Sequence, residues 1–468
     1  MGLLRLFLAL SVIAGHAQTT IFGVNGIGAW YAVNFFFIIS GFYMAMVLNG
    51  KYKEVSNFQF YKSRVLRIFP AYYIGMVLAV VVSYAAITNL FDSLTITSKI
   101  IYVFQNLFIA GQDLSYLFCV KASSGACASP VGLTINPPAW SLAVELGFYL
   151  VAPFFLKSQF KTFLFVLGGA IYLGALNFIE FPLGPIGSLQ PAEVWAYTYY
   201  FYPSSFAFFG GGALAYHLSK STNEPNYFAA IGALVILSVS QTVMPFWHLL
   251  FFSMAIPVLF KYTANNKLDR VIGELSYPVY ILHFPILILV KGYASEYPKI
   301  VSVFSLGTLV AITSVVLGAV VYYFVERKVS GFRHSESFLD SEEKSKTSIH
   351  YKASKILAVV YMIVPVIVTA YIISAQYELR STPASTPYNL TDSNWLGGVS
   401  RNNAAFFIRR TGINLSVYKV GAKVKLSSSG IREIVRVDES ASYINVYLAG
   451  DILSGEADGY PHQINVVE

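Results

Sequence analysis

Charge is scarce along this 468-residue chain: Asp, Glu, Lys and Arg together supply 12% of it, about half the share usual in soluble domains. That scarcity excludes an ordinary soluble globular protein and a disordered acidic or basic tail protein. Cysteine is almost absent. Cys119 and Cys127 stand eight positions apart in a polar Ser/Gly-containing loop, with no neighbouring His or Cys to complete a metal quartet, so a zinc module and a disulfide-scaffolded fold are both excluded and no metal site is expected. The two can pair only where their loop faces an oxidising compartment. An internal repeat is also missing, which argues against a transporter of inverted halves.

What the chain has instead is apolar surface. Hydrophobic residues make up 56%, aromatics 16%, and the mean hydropathy is +0.58. The expected fold class is therefore an α-helical polytopic membrane protein. The net charge of +8 does not point to nucleic acid, because Lys and Arg lie in short loops between apolar runs, where they act as cytoplasmic anchors.

Apolar runs of nearly 20 residues predict spans over about 3–22, 30–48, 68–87, 140–156, 162–178, 199–217, 227–243, 247–261, 275–291, 301–325 and 356–374. The basic stretch holding Lys51, Lys53, Lys62, Arg64 and Arg67 fixes the inner side, as do Lys157, Lys161, Lys220, Lys267, Arg270, Arg327, Lys328 and Arg333. Eleven transmembrane helices follow, with a cytoplasmic amino terminus. Residues 100–111 are too short to span and read as re-entrant or interfacial. The predicted organisation is a transmembrane domain over 1–330, a cytoplasmic linker of mixed charge over 331–355, a further helix over 356–374 and a Pro/Ser/Thr linker over 375–394. A small extracytoplasmic β-rich domain over 395–468 follows, its segments alternating apolar and polar as in SVYKVGAKVKL. Asp438, Glu439, Asp451, Glu456, Asp458 and His462 are scattered there and form no catalytic motif.

Chemistry is expected where ionisable groups stand inside apolar helices, because such groups are costly and seldom face lipid. The first segment, LLRLFLALSVIAGHAQ, carries Arg5 and His16 eleven residues apart, hence on one helical face about 16 Å apart along the axis. The same segment also has the features of a secretory signal peptide, but it continues apolar past Gln18, and the loop charges assign directions consistently only when it is kept as a span. Histidine at depth suits proton transfer, and arginine offers a donor fork to phosphate or carboxylate. Ser40 and Gly41, in FFFIISGFYM, read as a packing notch. Arg64 and Arg67, three apart before Pro70, suit either phosphate binding or simple anchoring. Ser141 and Glu145 lie one turn apart after the outer Pro-Pro turn in NPPAWSLAVELGFY. Glu145 is expected to pair with a cation or line a polar cavity. In SYPVYILHFPI, His283 stands about two turns in from the cytoplasmic side with Tyr280 one turn earlier, and a second histidine at depth suggests a shared cavity with His16. From these residues alone a non-enzymatic transporter or flippase remains open beside an enzyme.

In order along residues 1–330, the Arg-x10-His pair (Arg5, His16), FFxxSGF (Phe36–Phe42), RxxRIxPxYY (Arg64–Tyr73), WSLxxExxFY (Trp140–Tyr149), SYPxYxxH (Ser276–His283) and FVER (Phe324–Arg327) resemble the acyltransferase-3 family of bacterial integral-membrane acyltransferases. That family includes O-acetyltransferases of O-antigens and other surface glycans. The resemblance implies acyl transfer from a cytoplasmic acyl-CoA, commonly acetyl-CoA acting as co-substrate, to a hydroxyl of a surface or lipid-linked glycan at a bacterial inner membrane. On it, His16 is the catalytic base or acyl-handling residue and Arg5 helps bind the donor. Arg64 and Arg67 are assigned here to the donor's phosphates. Glu145 and His283 join His16 as catalytic candidates, and Trp140, Ser141 and Tyr280 are the acceptor-side candidates. The serine motif of the hydrolase-like domain fused to some relatives, of GDS type, is absent.

Overall fold

The computed structural model describes residues 1–125, 127–178, 196–220, 246–297, 303–333, 335 and 349–381, together with six strand segments between 389 and 467. The chain divides into two compact units, one of Met1–Ala175 with Tyr197–Val364, the other of Leu176–Ala196 with Pro365–Glu468. The first unit is helical. Its elements are α1 (Gly2–Ala17), α2 (Ala29–Asn49), α3 (Asn57–Val82), α4 (Tyr84–Ser93), α5 (Ile96–Phe108), α6 (Trp140–Phe155), α7 (Gln159–Phe178), α8 (Phe206–Lys220), α9 (Phe246–Thr263), α10 (Lys267–Glu296), α11 (Leu306–Val321) and α12 (Arg327–Arg333), then the start of α13 (Ile349–Ser381). Among the described residues five helical stretches are long and apolar enough to cross a membrane: Ala29–Asn49, Asn57–Val82, Pro137–Phe155, Lys267–Glu296 and Leu306–Arg333. Large apolar side chains such as Val77, Val81, Ile171 and Val316 stand exposed on helix surfaces, as a lipid-facing shell requires.

Element ends follow local chemistry and shift several predicted boundaries. The first helix stops at Ala17, with Gln18 left-handed at φ 53°, rather than running on to Phe22. Ser56 caps α3 by accepting from the Gln59 N–H at 3.3 Å, so the helix that carries Lys62, Arg64 and Arg67 starts well ahead of the predicted span at 68. Asn266 likewise caps α10 by accepting from the Asp269 N–H at 3.0 Å, eight residues ahead of the predicted start. His283 is therefore sixteen residues into its helix, about 24 Å along the axis from Lys267. The helix of the predicted 199–217 span begins only at Phe206, after a π turn (Ala196–Tyr200) and a 3-10 turn (Tyr202–Ser205). The predicted span at 227–243 lies outside the described residues.

Small residues bring the helices close. A Cβ on Gly41 of α2 would lie 1.8 Å from the Phe209 carbonyl oxygen of α8, and one on Gly212 of α8 would lie 1.8 Å from that of Ile38. The two glycines therefore form a reciprocal notch. The α1 amino end seats on α10, where the Asp269 carboxylate accepts from the backbone N–H groups of Gly2 (2.7 Å) and Leu3 (2.9 Å), satisfying helix donors with a charge of the favourable sign. Farther along α10, Pro285 has no N–H to offer the Ile281 carbonyl one turn back. Asn136, just before the Pro-Pro turn, donates its Nδ2 to that oxygen at 2.8 Å and repairs the ladder.

Helix α5, across the segment read as re-entrant or interfacial, has its polarity reversed relative to a soluble helix. Ser98, Gln105 and Asn106 are buried, while Ile96, Ile100, Phe104 and Phe108 are exposed. Gln105 and Asn106 both donate to the Leu133 carbonyl, at 2.7 and 2.9 Å, and tie the 109–136 loop down. Cys119 and Cys127 are disulfide-bonded within that loop. Tyr361 of α13 stacks on Tyr202 with ring centroids 3.9 Å apart, and its hydroxyl fills the space beside Gly147 of α6, 1.7 Å from where a Cβ would stand.

Among its described residues the second unit carries six strands: β1 (Asn389–Leu390), β2 (Ala405–Arg409), β3 (Lys423–Leu426), β4 (Gly430–Glu439), β5 (Tyr443–Leu448) and β6 (Ile464–Val467). All neighbours are antiparallel, in the order β1-β6-β3-β4-β5-β2. A register shift between Ile434 and Arg436 interrupts the β4–β5 ladder. Asp451, Glu456, Asp458 and His462 lie outside the described residues.

Candidate functional site

Helices α1 and α10 run side by side in the same direction. Gly2 sits at Asp269, and a Cβ on Gly273 would stand 3.8 Å from Arg5 Nη1, while at the other end His16 meets His283. Arg5 and His16 thus share the α10-facing side of α1, as their spacing predicted, but they serve two different places.

The first place is a cavity of about 500 Å³. Arg5, Arg64, Arg67, Arg270 and Arg333 contribute to its wall, and so do Ser40, Tyr43, Ser141, Glu145 and Tyr280. Arg64 sits among aromatic rings, its guanidinium carbon 5.5 Å from the Phe60 centroid and 5.8 Å from that of Tyr149. Arg67 donates to Glu326 Oε2 at 2.9 Å and lies 5.6 Å over the Tyr277 ring. Glu326 belongs to the FVER element and is 1% exposed, so this ion pair ties two of the quoted motifs together. Among the described residues no carboxylate stands within ion-pair distance of Arg5, Arg64, Arg270 or Arg333. Three carboxylates, Glu145, Asp269 and Glu274, also line the wall, but the five guanidinium groups outnumber them, and an anion is the ligand that suits it.

Glu145, expected to pair with a cation or line a polar cavity, lines this one. Its Oε1 accepts from Ser40 Oγ at 2.7 Å and from Tyr149 Oη at 2.5 Å, so two hydroxyls rather than an arginine hold it. Ser40 is therefore a polar partner, and Gly41 alone is the notch. Ser141 and Tyr280 share a hydrogen bond of 2.8 Å between hydroxyls, and both also reach the Pro138 carbonyl. Trp140 is not on the cavity wall. It is buried in an aromatic cluster, 4.8 Å from the Tyr199 ring and 4.7 Å from that of Tyr200.

The second place is the histidine pair. His16 Nδ1 lies 2.8 Å from His283 Nε2, and the rings stack at 5.1 Å with an 18° tilt. His283 is fully buried, whereas His16 is exposed. The other nitrogen of His283, Nδ1, contacts the Tyr280 carbonyl. A carbonyl only accepts, so His283 Nδ1 carries the hydrogen, and the Nε2 of the neutral ring holds a lone pair. His16 Nδ1–H must then be the donor, which leaves His16 Nε2 with a free lone pair on the accessible ring. Backbone carbonyl, buried imidazole and accessible imidazole form a chain that orients a base. Tyr280 touches both places: its hydroxyl lines the cavity and its ring lies 5.8 Å from that of His283.

Sequence reasoning placed Arg270 and Arg333 among the topological anchors and passed over Glu326. Their distance from the motif arginines in the chain hides a proximity that only the fold supplies. Outside the helices, Asp113 is buried and its Oδ2 has no partner among the described residues. Burial pushes its carboxyl up to about 7, outweighing the backbone N–H groups, its own and those of Leu114 and Tyr202, which favour the charged form.

A helical membrane protein with a guanidinium-rich cavity beside an oriented histidine is the class that these observations define. Residues 1–324 match the family model described as Acyltransferase domain, acyltransferase-3, and the chain belongs to that family. It is 23% identical over 412 residues to O-acetyltransferase OatA of Staphylococcus aureus strain NCTC 8325 / PS 47, a match covering 80% of this chain and 62% of that relative's length. A segment of 134 residues, 28% of this chain, is 34% identical to an uncharacterized protein of Haemophilus influenzae strain Rd and covers 51% of it. No solved structure matches.

Proposed function

We propose that this protein is a membrane O-acyltransferase that moves an acyl group, acetyl in the simplest case, from a cytoplasmic acyl-CoA to a hydroxyl of a surface or lipid-linked glycan. The observation that carries the reading is the adjacency, along α1 and α10, of a cavity rich in unneutralised guanidinium groups and a histidine whose tautomer is dictated by its neighbours. Arg5, Arg64 and Arg67 hold the donor's phosphates. The roughly 16 Å between Arg5 and His16 along α1 is bridged by the donor's pantetheine arm, which lies past the Ser141–Tyr280 pair.

In the transfer step His16 Nε2 takes the proton of the acceptor hydroxyl. The freed oxygen lone pair forms a C–O bond to the thioester carbonyl carbon, the C–S bond breaks, and the departing thiolate receives that proton from His16. His283 and the Tyr280 carbonyl keep His16 in the tautomer that this step needs, and Glu145 polarises the cavity wall through Ser40 and Tyr149. Ser141 and Tyr280 form the acceptor side, and Trp140, buried against Tyr199 and Tyr200, takes no part in it. The same reading takes the chain as an inner-membrane protein of eleven spans, amino terminus in the cytoplasm, with the Cys119–Cys127 loop and the β-rich carboxyl-terminal domain outside, where lipopolysaccharide or another polysaccharide is presented. The disulfide supports that side for the loop.

The test is thiol release from acetyl-CoA by purified protein in nanodiscs, together with the mass of the host's surface glycan with and without the gene. The expected results are acceptor-dependent thiol release and a loss of one acetyl unit per glycan repeat on deletion. An unchanged glycan mass and no thiol release contradict the proposal.

A further inference from the structure

Arg333 ends α12, beyond residue 324 where the family match stops, and sequence reasoning gave it only a topological role. The structure puts it elsewhere. Its side chain is 7% exposed and lines the same cavity as Arg64 and Arg67. The α12 end is held in place by Lys51, whose ammonium donates to the Arg333 carbonyl oxygen at 3.4 Å. Among the described residues its Nε is buried without an acceptor, and so is that of Arg64. Of the three guanidinium groups, only that of Arg67 has a carboxylate, Glu326, within ion-pair distance among the described residues.

A buried guanidinium costs several kcal/mol in desolvation unless an acceptor repays it, and two like charges on one wall add repulsion. Among the described residues neither Arg64 nor Arg333 has a carboxylate, and Arg64 finds only weak neutral acceptors, the Ser63 hydroxyl at 3.3 Å and the Met44 sulfur at 3.8 Å. An anion in the cavity supplies a charged one. Three guanidinium forks on one wall, one of them already paired, suit a ligand with more than one phosphate group.

Resting on the acyl-CoA reading above, we propose that Arg333 is a fourth donor-binding residue, acting with Arg64 on the nucleotide phosphates of the acyl-CoA. The chemical class it recognises is the phosphorylated end of the donor. The thioester end is left to the other side of the cavity.

The experiment compares two donors on the full chain in nanodiscs: acetyl-CoA, and S-acetylpantetheine, which bears the same thioester without phosphates. Arg333→Gln is expected to raise KM for acetyl-CoA roughly tenfold or more, the scale of one charge-assisted hydrogen bond, with kcat within about twofold. With S-acetylpantetheine the variant and the wild type are expected to behave alike. Arg333→Lys, which keeps the charge and loses the fork, should fall between them, and it carries the test if the Gln variant fails to fold. The exposed Arg327→Gln should leave both donors unaffected.

Equal losses with both donors would mean a structural role, and an unchanged KM for acetyl-CoA would mean no role, so either result overturns the assignment of Arg333 alone. A wild type that uses neither donor overturns the acyltransferase reading itself, and the assignment with it.

Discussion

The guanidinium-lined cavity and the histidine pair, although both are built on α1 and α10, solve opposite problems. The cavity gathers five arginines and leaves four of them without a carboxylate at ion-pair distance among the described residues, so guanidinium bonding capacity stays open there. At the histidine pair every nitrogen but one is committed within the protein, through the Tyr280 carbonyl and the imidazole–imidazole bond. On the proposed function the cavity is the binding region, with bonding capacity left open, and the histidine pair is the catalytic one, closed except at the atom that reacts. The contrast separates substitutions that weaken donor binding from those that stop transfer.

The largest expected effect separates the two regions outright. His16→Ala should lower acyl transfer by about 10² to 10⁴, the range for loss of a general base, as measured by acceptor-dependent thiol release. His283→Ala should cost less, roughly ten- to a hundredfold in kcat, because His16 stays but its tautomer is no longer imposed. Its signature is a changed pH profile of kcat with KM for the donor kept. A similar KM change in both variants would erase the distinction between the regions.

Other substitutions probe the frame on which both regions rest. Gly41→Val should prevent the α2–α8 approach, since its Cβ would stand 1.8 Å from a carbonyl oxygen, and should appear as loss of a cooperative melting transition. Cys119→Ser with Cys127→Ser should cost about 2–3 kcal/mol of stability, the loop-closure entropy for an eight-residue separation, read from thermal or denaturant unfolding.

The smallest effect concerns Asp113. Its carboxyl titrates near 7 in the folded protein and near 4 when unfolded, so between those values the native state binds more protons than the unfolded one. Stability should therefore fall as pH rises from about 4 to about 7 and level off above. Asp113→Asn should flatten that slope, as melting temperatures across the window will show.

Helical spacing made the shared face of Arg5 and His16 legible before any fold was known, because period and rise are nearly invariant. The resemblance to the acyltransferase-3 family was equally legible, carried by short motifs in a fixed order. The Arg67–Glu326 pair was not, since the partners stand 259 residues apart and a glutamate at the end of an apolar run looks like any other boundary residue. Arg333 was missed for a related reason: topology explains a basic residue at an inner helix end so well that no further role is asked of it. The start of α10 was misjudged because the helix begins in a polar stretch, Lys267 to Glu274, that hydropathy alone assigns to a loop.

The most direct measurement pairs donor binding with transfer in one variant. His16→Ala in nanodiscs should bind acetyl-CoA with wild-type affinity by calorimetry and transfer no measurable acetyl group to the glycan. A variant that still acetylates at the wild-type rate, or one whose affinity for acetyl-CoA collapses, contradicts the division between a cavity that holds the donor and a histidine that moves the proton.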